Sequence, residues 1–194
     1  LARELFKNHH DHLHTFLIKP ESKGQYTLTT VLKTAVANIQ ELRSFDIIGL
    51  TQKELGHSLI EQMVRVARFR RELDTAGIKA PIHIFGSLDP LTVCLFFIAG
   101  AEIFDGLTWM RYAYRDGQCV YVDNAAVLGD LGLGFSHNFV KVQTMRNNII
   151  TLQKLAVQIR EFEFTGDFGK LPHGPRIQAA LDSLLTHLTK GGMQ

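Results

Sequence analysis

Three groups of residues have types and spacings suited to chemistry. Asp105 stands between Phe104 and Gly106 at the end of an apolar segment. It is therefore a carboxylate in a partly apolar setting with a small neighbour that leaves room for a ligand. Such a carboxylate can attack a sugar C1 and hold a covalent glycosyl intermediate while one base leaves and another arrives. That chemistry also needs a second acid/base group to protonate the departing base. The same side chain can instead cap the turn that follows it.

The second group is His9, His10, Asp11, His12 and His14. On a helix His10 and His14 would share a face as metal ligands. The stretch runs directly into a strand, however, which favours solvated or loop-bound histidines. The third group is cationic. Arg65, Arg68, Arg70, Arg71 and Lys79 are interleaved with Glu61, Glu72 and Asp74, the pattern of a solvated helix face. Arg111, Arg115, Lys141 and Arg146 follow Asp105 and are better candidates for a track of phosphate contacts. Trp109, Tyr112 and Tyr114 are available there to stack bases or to pack the loop.

Composition bounds these options. The chain has 194 residues, 45% apolar and 21% charged, with a formal charge of +2. This is ordinary globular composition, and its charge permits a polyanionic partner without demanding one. Two cysteines, Cys94 and Cys119, provide neither a disulfide framework nor a clustered zinc-thiolate motif, and a cytoplasmic location is expected. The longest apolar run, Leu91 to Ala101, is too short to span a bilayer, and no membrane partner is expected. The sequence starts at Leu1 rather than Met, which suggests a processed or incomplete polypeptide.

Short apolar runs alternate with helical periodicity, the pattern of parallel βαβ units. Strands are expected at Thr15–Ile18, Phe45–Leu50, Ile82–Phe85 and Glu102–Asp105. Helices are expected at about 27–42, 55–76 and 91–99, with Gly77 as a left-handed cap. The region 106–135 reads as irregular, with a short hairpin around Val120. One long helix is expected from Ser136 to about Phe164 and a last one over Arg176–Leu188. The simplest organisation is one α/β domain over residues 1–194. Reactive residues of parallel α/β folds collect at strand C-terminal ends. That rule selects Lys19 and Glu21, then Gly49, Thr51 and Gln52, then Gly86, Ser87 and Asp89, and finally Asp105 and Gly106. Four βα units are half of an eight-stranded barrel, which takes roughly 250 residues. Either the sheet is open and doubly wound, or further strands come from elsewhere.

Three blocks carry a resemblance: Pro81-Ile82-His83-Ile84-Phe85-Gly86-Ser87-Leu88-Asp89-Pro90, Gly100-Ala101-Glu102-Ile103-Phe104-Asp105-Gly106, and Tyr112-Ala113-Tyr114-Arg115-Asp116-Gly117. In order and separation they resemble the archaeal branch of the tRNA-guanine transglycosylase superfamily. Weaker similarity runs from Phe45 to Glu161. It includes Asp46-Ile47-Ile48-Gly49-Leu50 and the helix start Ser136-His137-Asn138-Phe139.

The resemblance implies the second half of a TIM (β/α)8 barrel followed by a long C-terminal helix and a terminal helix. It implies Asp105 as covalent nucleophile and Gly49, Leu50 and Gly86 as base-binding positions. The partners it implies are nucleic acid (DNA or tRNA) and a 7-deazaguanine base that replaces guanine. It also implies a homo-oligomer, or a companion chain that supplies the first barrel half with its acid/base groups. His137 matches the family's zinc histidine, but the family's cysteines are missing, so no metal or other cofactor is expected. The loss of the cysteines beside a retained Asp105 points to a divergent paralogue, for which DNA and RNA are substrates of comparable weight, and Leu88-Asp89 in place of the family's Gly-His alters the base pocket. The alternative is a non-catalytic half-barrel subunit that binds a partner chain or polynucleotide.

Overall fold

A computed structural model describes residues 6, 9, 11–20, 28–128 and 134–190, with the backbone alone for 28–31. Glu21 and His10 lie outside the described residues. The chain is mixed α/β and separates into two compact modules. The first comprises Leu1–Gly86, Phe96–Asp105 and Leu184–Gln194, and the second Ser87–Leu95 and Gly106–Ser183.

The first module holds four parallel strands, β1 (Thr15–Ile18), β2 (Ile47–Thr51), β3 (Ile82–Phe85) and β4 (Ile103–Phe104). Their spatial order is β1-β2-β3-β4, the order of the sequence. A doubly wound sheet reverses its strand order at a switch point, and no reversal occurs here. Because βαβ crossovers are right-handed, stepping always in one direction puts consecutive connecting helices on the same face. Between the strands run α1 (Leu28–Ala37), a 3₁₀ segment (Ile39–Ser44) and α2 (Leu59–Thr75). The helix expected over 27–42 is broken at Asn38, whose side chain turns back to donate to the Thr34 carbonyl.

The two sheet faces differ. In register, Ile48, Leu50, Ile82 and Ile84 form a fully buried face. With Met63, Val66, Phe69 and Leu73 of α2 they make the core of this module. The opposite face carries Leu17, Gly49, His83, Phe85 and Ile103, with Leu17 exposed and His83, Phe85 and Ile103 only part-buried.

α2 starts on a pair of side-chain caps close to a capping box, with Glu61 reaching one residue before the N-cap Ser58. Ser58 Oγ accepts from the Glu61 amide, and the Glu61 carboxylate accepts from the His57 amide. It ends at Gly77, which adopts φ 69° as expected. Arg70 on this helix departs from the expected solvated face. Its guanidinium is largely buried, donating to the carbonyls of Ile78 and Ala80 and pairing with Asp74. Arg65 likewise donates to the Leu55 carbonyl and pairs with Glu61. These two arginines clamp loops.

The chain passes between modules through α3 (Pro90–Ile98), whose buried Val93, Cys94, Leu95 and Phe96 explain the missing polar face. The second module contains α4 (Thr108–Arg111), the hairpin β5 (Tyr112–Arg115) and β6 (Gln118–Tyr121), and α5 (Val122–Leu128). These are followed by α6 (His137–Thr165) and α7 (Gly174–Lys190). Residues 106–128 of the region expected to be irregular are thus more ordered than their composition suggests. The hairpin turn is Asp116-Gly117 with φ 47° and 76°, both left-handed, the geometry a two-residue turn of type I′ requires.

α6 packs on β5, α4 and α5 through Val140, Thr144, Asn148 and Leu155. At 100° per residue its exposed Phe139, Val142, Ile149, Ile150, Val157 and Phe164 fall within an arc of about 100° on the opposite side. No helix among the described residues is long and apolar enough to cross a membrane.

Candidate functional site

Parallel strands end at one edge, where Lys19, Thr51, Gly86 and Asp105 follow one another across the sheet in the order β1 to β4, so that Gly86 and Asp105 are the neighbours. Asp105 directly follows β4. Its amide donates to the Ile84 carbonyl at 3.5 Å, so the pairing with β3 continues through it. Its side chain does not cap the following turn. Oδ1 accepts from the Gly86 amide at 2.9 Å, reaching across to the end of β3. Gly86 has φ 85°, a left-handed conformation that turns the chain out of β3 and is open to glycine at little cost. The Asp105 side chain remains 51% exposed. It is an oriented carboxylate with one oxygen held by backbone and access for a ligand.

The other oxygen, Oδ2, lies 3.6 Å from Nε2 of His83, whose side chain is only 14% exposed. This nitrogen is buried and has no hydrogen-bond partner. Burial holds the imidazole below the usual histidine range, and the Asp105 carboxylate partly offsets it. The ring is fixed by stacking on Phe85, with centroids 3.9 Å apart and planes at 28°. Phe85 in turn lies over Gly49, where an added Cβ would stand 2.6 Å from the ring. His83, Phe85 and Gly49 therefore form one stack on the part-buried face beside Asp105.

Sequence reasoning did not single out His83. The available signal was a histidine two residues before Phe85 in an otherwise apolar strand, on the face that Ile103 continues toward Asp105.

Of the expected base-binding positions, Gly49 and Leu50 are both buried in β2. Leu50 belongs to the closed core face, where its side chain is fully buried. Gly86 stands at the site through its amide. Asp89, selected as a strand-end candidate, caps α3: its Oδ1 accepts from the amide and hydroxyl of Thr92 at 2.9 and 2.8 Å.

No protein-family model, curated protein or solved structure matches the chain. The site therefore rests on its own geometry.

Arg111, Arg115, Lys141 and Arg146 all lie in the second module and are all exposed. Lys141 and Arg146 are five residues apart on α6 and point about 140° away from each other, so one backbone track along that helix does not engage both. Arg115 has Asp116 at 3.9 Å. Of the aromatic residues, Tyr114 is committed to packing. It is buried, and its hydroxyl donates to the Leu88 carbonyl. Tyr112 packs on Tyr121 at 5.8 Å. Asn148 ties this region together. Its oxygen accepts from the Tyr114 amide, and its nitrogen donates to the carbonyls of Trp109 and Tyr112.

At the start of α6 the cap is Ser136, whose hydroxyl accepts from the Phe139 amide at 3.4 Å. His137 is exposed with Asp123 at 3.9 Å. Among the described residues no three His, Cys, Asp or Glu side chains converge as metal ligands, so the donor set for a zinc at His137 is not assembled there. Burial pushes the Cys94 thiol up to about 12. Burial also raises the Cys119 thiol, and the negative charge of Asp89 adds to that rise. Neither is a thiolate nucleophile near neutral pH.

Proposed function

We propose that this chain is the nucleophile-bearing half of a guanine-exchanging transglycosylase. The observation that carries the reading is Asp105 at the C-terminal end of β4, exposed yet oriented by the Gly86 amide. A carboxylate oxygen of Asp105 attacks C1′ of a ribose or deoxyribose. The C1′–N9 bond breaks, and guanine leaves with the bonding electrons and takes a proton from a general acid. N9 of the incoming 7-deazaguanine, relieved of its proton by the conjugate base, then attacks C1′. The C1′–O bond breaks and Asp105 leaves as a carboxylate. The motif resemblance names the bases and the nucleic acid, DNA or tRNA. The displacement itself calls for no metal.

Two features support a β/α half-barrel. The strand order runs without reversal, and one sheet face is closed while the face bearing His83 and Phe85 stays part-exposed. A parallel sheet is covered on both faces, so the part-exposed face suits strands contributed by a companion chain or by another segment of this protein. Those strands would bring the acid/base partner. A second reading, a non-catalytic subunit that docks a partner chain or polynucleotide, is favoured by the apolar stripe on α6.

The test is to incubate the full-length protein, with any chain that copurifies, with guanine-containing DNA and RNA separately. A denaturant-resistant adduct is then sought. The expected result is an adduct with one polymer that disappears in Asp105→Ala while the fold is retained. An adduct that persists in Asp105→Ala removes the nucleophile, and absence of any adduct favours the docking subunit.

A further inference from the structure

We infer that His83 is a positioning residue for Asp105: with its proton on Nε2 it holds Oδ2 of the carboxylate while the Gly86 amide holds Oδ1. The inference rests on the transglycosylase reading for its chemical consequence, but the pairing itself is a separate claim about two side chains.

Four observations lead to it. His83 Nε2 is a buried polar atom with no hydrogen-bond partner, and a buried polar atom left unpaired is costly. The atom it faces is Asp105 Oδ2, at 3.6 Å. A movement of a few tenths of an ångström closes that gap, and catalytic hydrogen bonds commonly tighten when substrate binds. The ring has little freedom to turn elsewhere, because it is stacked on Phe85, which is itself lodged over Gly49. Finally, both donors come from one short stretch of chain, His83 within β3 and Gly86 at its end. The two oxygens are thus gripped from a single rigid strand.

A carboxylate gripped at both oxygens presents a fixed lone-pair direction to C1′, which favours the first displacement. The same two donors stabilise the negative charge when the carboxylate departs in the second. The clamp therefore serves formation and breakdown of the adduct alike. Burial keeps the imidazole neutral at neutral pH, and Asp105 is the charged group that acts on it among the described residues. A neutral ring can donate to the carboxylate without forming an ion pair that would quench the nucleophile.

Two substitutions separate a chemical role from a packing role. His83→Phe keeps a ring on Phe85 and removes the donor. His83→Gln removes the ring and places an amide N–H near the position of Nε2. Adduct formation by the full-length protein is expected to slow about 10- to 100-fold in His83→Phe. In His83→Gln it is expected to recover to within about threefold of the parent, as one retained hydrogen bond implies. Equal rates for His83→Phe and the parent, or a His83→Gln as slow as His83→Phe, overturn the inference.

A second measurement needs no activity. The His83 imidazole is titrated by NMR in the parent and in Asp105→Asn. Because the carboxylate raises the pKa, its removal should lower it further, and an unchanged titration overturns the pairing. Absence of an adduct with intact coupling sinks the transglycosylase reading alone. An adduct without coupling sinks the clamp alone.

Discussion

The ring of Phe85 occupies the space above Gly49: a Cβ built on Gly49 would lie 2.6 Å from Cε2 of Phe85 and 3.2 Å from Leu17 Cδ1. Gly49 has no positive φ, so its role is space rather than backbone freedom. Gly49→Ala should push Phe85 off His83 and destabilise the protein by about 1–3 kcal/mol, the usual cost of overpacking. Urea unfolding measures it. Pairing Gly49→Ala with Phe85→Leu should return part of the loss, since the shorter side chain frees the volume; a pair that is merely additive would show that the contact does not limit stability.

Asn148 is fully buried on α6 and serves three backbone groups of α4 and β5. Asn148→Ala leaves the Tyr114 amide and the carbonyls of Trp109 and Tyr112 without their partner. A loss of about 2–4 kcal/mol is expected from stranding these groups. Hydrogen exchange localises the effect: the Tyr114 amide should lose protection in the variant while amides of β2 and β3 keep theirs. Equal loss in both modules would contradict this assignment.

Strands β1 and β3 were legible to the residue because each is a short apolar run closed by Pro or Gly, at Pro20 and at Pro81 and Gly86. β2 begins later than its apolar run suggests. Asp46 spends its carboxylate on the His14 amide, a contact across 32 residues that no local pattern reveals. The Asp116-Gly117 turn carried a hairpin signal, but the flanking Tyr112-Ala113-Tyr114 alternates too weakly to define strands before α6 supplies Asn148. Asp105 could be picked from its position alone. His83 could not, because its proximity to Asp105 depends on the β3–β4 register that pairs it with Ile103. The misreading of Arg70 has the same origin: its partners are the carbonyls of a loop that folds back onto the helix.

The depressed pKa of His83 makes stability depend on pH with a definite sign. The ordinary histidine value is 6.5, and the folded value is lower, chiefly through burial. Above 6.5 both states hold a neutral ring and this residue imposes no penalty. As pH falls below 6.5 and through the folded pKa, the unfolded chain takes up the proton first, so folding stability is lost. Guanidinium unfolding at a series of pH values between 7 and 5 should show this loss in the parent and a shallower slope in His83→Phe, which has nothing to protonate. Identical slopes would place the pH sensitivity elsewhere.

The stripe on α6 tests the proposed assembly. Phe139, Val142, Ile149, Ile150, Val157 and Phe164 are all exposed along about 40 Å of helix, opposite the residues that pack inward. Arg146, Gln153 and Arg160 are exposed within the same arc, so the stripe is apolar residues broken by polar ones rather than a continuous patch, but exposed apolar residues aligned over that length suit an interface. A homo-oligomer or companion chain seated there should be sensitive to charge at its centre and indifferent to charge on the flanks. Ile150→Glu with Val157→Glu is expected to reduce the mass measured by light scattering to that of a single chain, with helix content by circular dichroism unchanged. Lys154→Glu, which reverses charge at a neighbouring exposed position of the same helix, should leave the mass as it was. A parent protein already at the mass of one chain would remove the stripe from the assembly.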